Sequence, residues 1–326
     1  MTSDTGVESH AAAKGRGRGR AMSTGRAGDK IFVSAARGSG IAVLAIVVAI
    51  AVFLVWKAVP ALQANEASFL TSEAWNPNAT PAEFGIAQLA FGTIMSSLLA
   101  MLIATPIAIG IALFISFYAP RRLASGLGYI VDLLAAVPSI VYGLWGLIFL
   151  SQYMDDVGEF LSTFLGWIPL FATESPGKNS MFTAAVVLAI MILPIISSIS
   201  REVFLQVPQA NVEASLALGA TRWEMIRMSV LPYGRSGMVG ASMLGLGRAL
   251  GETIAVAMVL TFVPGINWNV LENGGNTFAA NIANSFAEAS ETGRGALVAS
   301  GLVLFVITLL VNMAARAVVA RRKEFV

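Results

Sequence analysis

Two opposite charges, Arg248 and Glu252, stand four residues apart in an otherwise apolar and glycine-rich stretch of the chain. On an α-helix this spacing places both side chains on one face, where they can form an ion pair. A charged side chain in the middle of a membrane costs on the order of 2.5–3.5 kcal/mol, so such residues usually mark a pathway. A guanidinium is a planar donor suited to an oxyanion, and a neighbouring carboxylate would keep its hold weak enough for release. The alternative is a salt bridge that only fixes helix packing.

A second group of polar side chains follows Pro138, where Ser139 and Tyr142 offer hydroxyls within the stretch 135–146. Small residues and the proline allow a helix there to bend and to pack tightly against a neighbour. From the residues alone, helix packing is the favoured role of this stretch, and lining of a path by the two hydroxyls is the alternative. Asp132, shortly before it, is expected to be a packing or interfacial residue.

The composition excludes several kinds of chemistry. The chain has no cysteine, and its one histidine, His10, lies in a polar tail. Cysteine- or histidine-ligated metals, thiolate nucleophiles and histidine-based triads therefore have no residues to use. The sequence also lacks a Gly-x-x-x-x-Gly-Lys-Ser/Thr loop, so nucleotide hydrolysis would have to belong to a partner. We predict no catalytic residue, no metal site and no cofactor bound by this chain.

The elements that position these residues are predicted to be transmembrane helices. Of the 326 residues, 56% are hydrophobic and 12% are charged, and the mean hydropathy of +0.74 is too high for a water-soluble protein of this size. The sequence predicts an all-α, polytopic membrane protein with six transmembrane helices, kinked at their internal prolines. These apolar segments lie at about 41–59, 86–118, 127–150, 181–200, 236–262 and 296–315.

The distribution of basic residues predicts the orientation of these helices. All but four of the 21 lysines and arginines lie in the N-terminal tail, in alternate loops or at the C-terminal end; the exceptions are Lys57, Lys178, Arg248 and Arg294. The positive-inside rule therefore predicts that both termini are cytoplasmic. Acidic residues gather in the opposite loops, where they would repel a free anion, so an anionic substrate would be better delivered by a carrier protein.

The domain organisation is predicted to be simple. Residues 1–40 are rich in Gly, Ser, Ala and Arg and are expected to form a disordered basic cytoplasmic tail. The basic run at 14–20 fits contact with anionic membrane lipid better than nucleic-acid binding. Residues 41–326 are predicted to form one transmembrane domain, which includes a long inside loop at about 201–235.

The loop 201–235 contains residues typical of the starts and ends of two short helices. The first is predicted to end at Gly219, and the second to begin at Thr221, which has a glutamate three residues on in the spacing of a capping box. The second helix is predicted to stop at Leu231-Pro232. Such a projection would either lie on the lipid headgroups as an amphipathic hairpin or dock a cytoplasmic subunit, and physical reasoning alone leaves both open.

This loop resembles the EAA motif of ABC importer permeases. The residues that carry the resemblance are Glu213-Ala214-Ser215, then Gly219 and, twelve residues on, Leu231-Pro232. In that family the loop sits in a groove of the ATPase subunit and transmits its closure, which implies an ATPase contact with Glu213 and Gly219 at its core. Two positions depart from the usual pattern: Ser215 stands where a second alanine is common, and Ser229 where isoleucine is common.

Two further stretches narrow the resemblance. Ala-Ala-Val-Pro-Ser-Ile-Val-Tyr-Gly-Leu-Trp-Gly at 135–146 and Leu-Gly-Leu-Gly-Arg-Ala-Leu-Gly-Glu-Thr at 244–253 are similar to the PstC permeases of phosphate importers. The resemblance covers about 41–320 and implies a MetI-like ABC importer permease fold in a bacterial cytoplasmic (inner) membrane. Arg248 and Glu252 match that family's charged pair, which is associated with phosphate passage.

The same resemblance implies several partners. A second permease, PstA, would share the path, and two copies of the ATPase PstB would bind ATP and Mg in the cytoplasm. The phosphate-binding protein PstS would dock outside. On this interpretation Ser139 and Tyr142 are candidates to line the path beside Arg248 and Glu252.

Two other functions stay open from the sequence. An ABC permease for another oxyanion or an organic solute would keep the coupling loop and differ in its membrane charges. A stand-alone secondary transporter or channel would need ionisable residues in several spans, whereas clear mid-span charge occurs only at 248 and 252. An enzyme is the weakest alternative, because no nucleophile and base are placed together.

Overall fold

The computed structural model describes residues 25–320, and within them the regular structure is helical apart from one short hairpin. A 3₁₀ turn lies at Pro169–Phe171. The elements in chain order are α1 (Gly25–Ala64), β1 (Trp75–Asn76), β2 (Glu83–Phe84), α2 (Ala87–Leu113), α3 (Arg121–Ala135), α4 (Ser139–Trp145), α5 (Ser151–Leu165), α6 (Met181–Leu205), α7 (Gln209–Ala217), α8 (Arg222–Met225), α9 (Leu231–Leu250), α10 (Ile254–Val259), α11 (Phe278–Ser285) and α12 (Glu291–Ala320). The two strands pair antiparallel. Three π-helical turns continue or join these helices, at Phe114–Tyr118, Gly146–Leu150 and Ile226–Val230.

The chain divides into two compact units, one up to Val52 and one from Phe53 onward. The first unit is described only by the start of α1, which begins at Gly25, so residues 25–40 are helical where the sequence predicts a disordered tail. They form one helix with the first apolar segment, since no proline interrupts the chain there. Residues 1–24, which include the basic run at 14–20, lie outside the described residues, as do 321–326. All packing below belongs to the second unit.

Four helical segments are long and apolar enough to cross a membrane, namely Gly28–Ala64, Ala87–Tyr118, Met181–Leu205 and Glu291–Ala315. A fifth candidate is the bent pair made by Arg121–Ala135 and Ser139–Leu165, if its two arms are counted as one span. The fifth predicted span, 236–262, is covered by α9 and α10 and is not among these candidates. By length and composition the described residues therefore give four or five of the six predicted spans.

The third predicted span, 127–150, is broken near its centre. α3 ends at Ala135, α4 begins at Ser139, and the two arms meet at an angle of 91°. Pro138 explains the break, because a proline disfavours the helical conformation of the residue before it. Its own backbone is extended, with ψ at 140°, and directly precedes α4. The kink that the sequence predicts is therefore a sharp corner between two helices.

The core is built on α2 and α6, the most extensively packed pair of helices. Small residues recur at every fourth position of α2 and so share one face. All of them are buried: Gly92, Ser96, Ala100, Ala104, Ala108 and Ala112. Leu188, Ile192 and Ile196 of α6 belong to the same buried cluster. Because this face of α2 has no bulky side chain, the two backbones can approach closely.

α9 is seated on α6 through glycines. A Cβ atom added at Gly245 would lie 2.7 Å from Ile196 Cδ1, and one added at Gly237 would collide with Val203. Side chains of α6 occupy the space that a side chain of α9 would need. The long helix α9 therefore rests on α6 at positions that have no side chain of their own.

Hydrogen bonds fix α10 and the segment that follows it. Asn179 Nδ2 donates to the Val259 carbonyl at 2.7 Å, which holds the last residue of α10. The Thr93 hydroxyl of α2 accepts from the Phe278 N–H at 3.1 Å, which ties the start of α11 to the core. The short helix α10 is therefore held in a defined position beside α2 and α6.

Candidate functional site

The first turn of α8 is fixed by the capping box that the sequence predicts at Thr221, and the prediction is confirmed. Thr221 Oγ1 accepts from the Glu224 N–H at 3.3 Å, and Glu224 Oε2 accepts from the Thr221 N–H at 2.8 Å. Two hydrogen bonds stabilise the Glu224 carboxylate and lower the pKa of Glu224 below its ordinary value. The larger effect comes from the Thr221 backbone N–H, and the smaller from the Thr221 hydroxyl at 2.8 Å.

The helix that begins there reaches Arg248. α8, the π turn and α9 follow one another without a break over 222–250. The predicted stop at Leu231-Pro232 is wrong, because Pro232 lies in the first turn of α9, where a missing N–H is tolerated. Leu231 is half-buried and packs on a cluster that includes Phe204 of α6. One continuous helical run, the 222–250 run, therefore joins the loop with the EAA resemblance to Arg248, a predicted path residue.

The first part of the motif lies on a hairpin made by α7 and α8. Glu213 and Ala214 lie on the exposed surface of α7, and Gly219 joins the two helices with φ at 85°, a conformation that favours glycine. Leu218 is 89% exposed and Trp223 is 56% exposed. Apolar surface of this kind beside an exposed carboxylate is typical of an interaction site.

Arg248 and Glu252 do not share a helix, which corrects the predicted ion pair. α9 ends at Leu250, and Gly251 closes it, as glycine commonly does at helix ends. Glu252 is 8% exposed, and its Oε1 accepts from the Ala255 N–H at 3.1 Å, so the carboxylate caps the first turn of α10. The spacing of four residues places side chains together only within one continuous helix. Among residues 25–320 no ion pair joins the two.

The structure instead brings Arg248 near Tyr142. Arg248 is half-buried, and Tyr142 packs against the cluster that contains Ala249, the next residue of α9. The Tyr142 hydroxyl donates to the Leu134 carbonyl at 2.9 Å, across the corner between α3 and α4. Ser139 lies one turn earlier on α4 and is half-buried, and within 25–320 its hydroxyl makes no hydrogen bond.

Contact between α4 and α10 holds this group of residues together. A Cβ atom added at Gly143 would lie 2.7 Å from the Ala255 Cα, so the two helices touch at their backbones. Tyr142 is therefore fixed beside the helix that Glu252 caps. A half-exposed guanidinium with a phenol nearby can hold an oxyanion through charge-assisted hydrogen bonds. That these residues meet a substrate stays a prediction.

The surface of α9 is open at Gly247, the residue before Arg248. A Cβ atom added at Gly247 would meet no atom within 4 Å. A cavity of about 560 Å³ lies elsewhere in the second unit, and asparagines at 76, 78, 276, 281 and 284 contribute to its lining. None of Arg248, Glu252, Ser139 and Tyr142 lines that cavity. Arg248, Ser139 and Tyr142 are half-buried. Glu252 is buried at the start of α10.

The structure contains two polar contacts between elements that the sequence does not predict. Asp132 accepts from the Ser198 hydroxyl at 2.5 Å and pairs with Arg201 at 3.1 Å, which joins α3 to α6. This agrees with a packing role for Asp132, but its partners are too distant in sequence to be identified there. The hydroxyls of Ser215 and Ser229 lie 2.7 Å apart. The only feature of the sequence that could have indicated this contact is that both residues depart from the EAA pattern.

Comparison with known proteins decides the family. Residues 104–324 match the family described as "Binding-protein-dependent transport system inner membrane component". The chain belongs to this family. It is therefore a multi-pass membrane protein of a transport system, and the resemblance predicted from the EAA loop is confirmed.

Individual relatives match most of the chain. "Phosphate transport system permease protein PstC 2" of Mycobacterium bovis is 49% identical over 304 residues, which are 91% of this chain and 93% of that protein. "Phosphate transport system permease protein PstC" of Mycobacterium leprae is 46% identical and covers 89% and 92%. The protein of the same name from Mesorhizobium japonicum is 42% identical and covers 90% of both chains. The narrower resemblance to PstC permeases is therefore confirmed as well.

Solved structures agree on the fold. An inward-facing MetNI methionine ABC transporter matches with a TM-score of 0.52 at 18% identity, over 73% of this chain and 94% of that one. A bacterial ABC transporter involved in the import of the polysaccharide alginate matches with a TM-score of 0.52 at 16% identity, over 72% and 79%. At these identities the likeness shows the fold of ABC transporter permeases.

Proposed function

We propose that this chain is the permease subunit of an ATP-driven importer of inorganic phosphate. The observation that carries the proposal is the 222–250 run, which joins an exposed hairpin with the EAA resemblance to Arg248. The relatives named as phosphate transport permeases, at 42–49% identity, support phosphate as the substrate.

The 222–250 run can transmit movement directly. At 1.5 Å per residue it is roughly 40 Å long, which exceeds the hydrocarbon thickness of about 30 Å. A displacement of the hairpin therefore displaces Arg248 at the other end without passing through a flexible loop. ATP binding by a partner ATPase would close its dimer, move the hairpin and open the path outward, and hydrolysis would reset it inward.

Arg248 is the residue that would meet phosphate. Its planar guanidinium donates parallel hydrogen bonds to two oxygens of an oxyanion. Glu252 is turned toward α10 and does not neutralise this charge, so its role is to hold the start of α10 in place. The weak binding that a conduit needs would come from the half-exposed position of Arg248, where water competes for the anion. Ser139 and Tyr142 would line the path from α4.

The orientation and the partners belong to the same proposal. Six transmembrane segments, the fifth made by α9 and α10 together, would place both termini and the hairpin in the cytoplasm of a bacterium. The open surface of α9 at Gly247 would be covered by a second permease, PstA. Two copies of the ATPase PstB would bind the hairpin together with ATP and Mg, and the phosphate-binding protein PstS would deliver phosphate from outside.

Radiolabelled phosphate uptake tests the proposal in cells that carry the whole transporter. Arg248→Gln should reduce uptake at least tenfold, and Arg248→Lys should reduce it less, because lysine keeps the charge but not the planar fork. Arg235→Gln, which removes an exposed charge from the same helix, is the matched control and should transport normally. The amount of ATPase that co-purifies reports assembly.

Each contrary result has a distinct meaning. Full uptake by Arg248→Gln would remove Arg248 from the path, and full uptake by Arg248→Lys would remove the forked contact. Lost assembly in Arg248→Gln would make the arginine structural. Equal inhibition of wild-type uptake by sulfate or molybdate would indicate another oxyanion as the substrate.

A further inference from the structure

A pair of serines joins the two arms of the hairpin region. Ser215 lies on α7 and Ser229 lies in the π turn between α8 and α9, and their Oγ atoms are 2.7 Å apart. The Ser215 hydroxyl donates to the Asn211 carbonyl at 2.9 Å. Because Ser215 has only one hydroxyl proton, the Ser229 hydroxyl supplies the proton between the two oxygens. We name the two hydroxyls and the Asn211 carbonyl the clasp.

The clasp is attached at the π turn of the 222–250 run. In the π turn the Leu231 N–H bonds to the Ile226 carbonyl, five residues back, instead of four. Such turns are rare interruptions of the α-helical pattern and often occur at functional sites. A load applied to the hairpin can be absorbed there by rearranging the turn, and a hydrogen bond from Ser229 to α7 opposes that rearrangement.

We propose that Ser215 and Ser229 are positioning residues that hold α7 at a fixed angle to the 222–250 run, so that movement of the hairpin reaches Arg248. The proposal rests on the proposed function, since it assumes that a partner ATPase moves the hairpin. Val212 of α7 also packs on a cluster that includes Ile226 and Val230, so an apolar contact already joins α7 to the 222–250 run. The clasp adds directional hydrogen bonds to this contact.

The pairing of the hydroxyls predicts how substitutions combine. Removing one member of a hydrogen-bonded pair leaves the other without its partner, whereas replacing both by apolar groups can be nearly neutral. An alanine at 215 with an isoleucine at 229, the residues common in the EAA pattern, would replace the hydroxyl pair by an apolar contact. The two departures from the pattern are therefore expected to compensate each other.

The test uses the complete transporter in proteoliposomes, supplied with its binding protein, and measures phosphate moved per ATP hydrolysed. Ser215→Ala and Ser229→Ala should each lower this ratio by about threefold to tenfold. The loss should be smaller for Ser215→Ala, because Ser229 then retains the Asn211 carbonyl at 3.5 Å. The double alanine variant should be no worse than Ser229→Ala, and Ser215→Ala with Ser229→Ile should restore the ratio. Ser236→Ala, an exposed serine of α9, is the matched control.

Each outcome supports or overturns the clasp. Wild-type ratios in both single alanine variants would overturn it, and so would losses that multiply in the double variant or persist with isoleucine at 229. Reduced assembly in the single variants supports the pairing if the alanine–isoleucine variant repairs it and overturns it otherwise. A wild-type transporter that hydrolyses ATP but moves no phosphate would contradict the proposed function instead.

Discussion

Replacing Gly143 by alanine tests the contact that holds Tyr142 beside Arg248. The added Cβ would lie 2.7 Å from the Ala255 Cα and 3.3 Å from its Cβ. A backbone atom cannot move away by changing a rotamer. α4 and α10 must therefore part by about 0.7 Å to reach ordinary contact at 3.4 Å.

The size of the effect follows from two opposing contributions. Overpacking of a well-packed contact costs about 1–3 kcal/mol. Alanine favours a helix over glycine by up to about 1 kcal/mol, which offsets part of that cost. Because the clash is with a backbone atom, its cost is taken as about 2–3 kcal/mol, and an offset of about 1 kcal/mol leaves a net destabilisation of about 1–2 kcal/mol. This is a factor of roughly 5–30 in the population of the close contact. We expect phosphate uptake by Gly143→Ala to fall by about that factor.

The assay compares uptake and thermal stability of the purified complex with those of Gly110→Ala. Gly110 is also in a helix, but a Cβ atom there would meet no atom within 4 Å, so the control should be neutral or slightly stabilised. If uptake by Gly143→Ala equals that of the control, the close contact of α4 with α10 does not support the site.

Two further predictions concern glutamates that cap helices. Glu252→Gln keeps an acceptor for the Ala255 N–H and should leave the amount of assembled complex unchanged. Glu252→Leu leaves that buried donor unpaired and should destabilise the protein by about 1–3 kcal/mol in thermal unfolding. Equal loss in both variants would contradict the capping role. Because the pKa of Glu224 is lowered in the folded protein, its contribution is present above the ordinary value of 4.5 and is lost as the pH falls through the lowered pKa. Amide exchange in α8 should therefore be slower in the wild type than in Glu224→Gln at neutral pH, and equal in acid; a difference that persists in acid would contradict this cause.

Local signals in the sequence predict the hairpin well. The helix end at Gly219 and the capping box at Thr221 each depend on a few neighbouring residues, and both predictions are confirmed. The apolar segments that became α2 and α6 are equally local, because each is continuous and long enough to span a membrane. Where the conformation depends only on nearby residues, the sequence is sufficient.

The candidate site depends on distant contacts, and there the sequence is less informative. The spacing of Arg248 and Glu252 predicts an ion pair only if the helix continues, but Gly251 ends it and the carboxylate caps α10. The proximity of Tyr142 to Arg248 requires the contact between Gly143 and Ala255, which no spacing in the sequence expresses. Continuity of the helix through Pro232 depends on the preceding π turn, which has no reliable local pattern.

The small residues at every fourth position of α2 limit how the protein can change shape. Helices that meet through bulky side chains can shift by exchanging rotamers, as in shear motions. The part of α2 that shares a buried cluster with α6 is made of Ala100, Ala104 and Ala108, which have no side-chain rotamers to exchange. We therefore expect α2 and α6 to move as one rigid body through the transport cycle. A larger residue at any of these three positions would push the two helices apart at that point and so weaken the rigid body that they form.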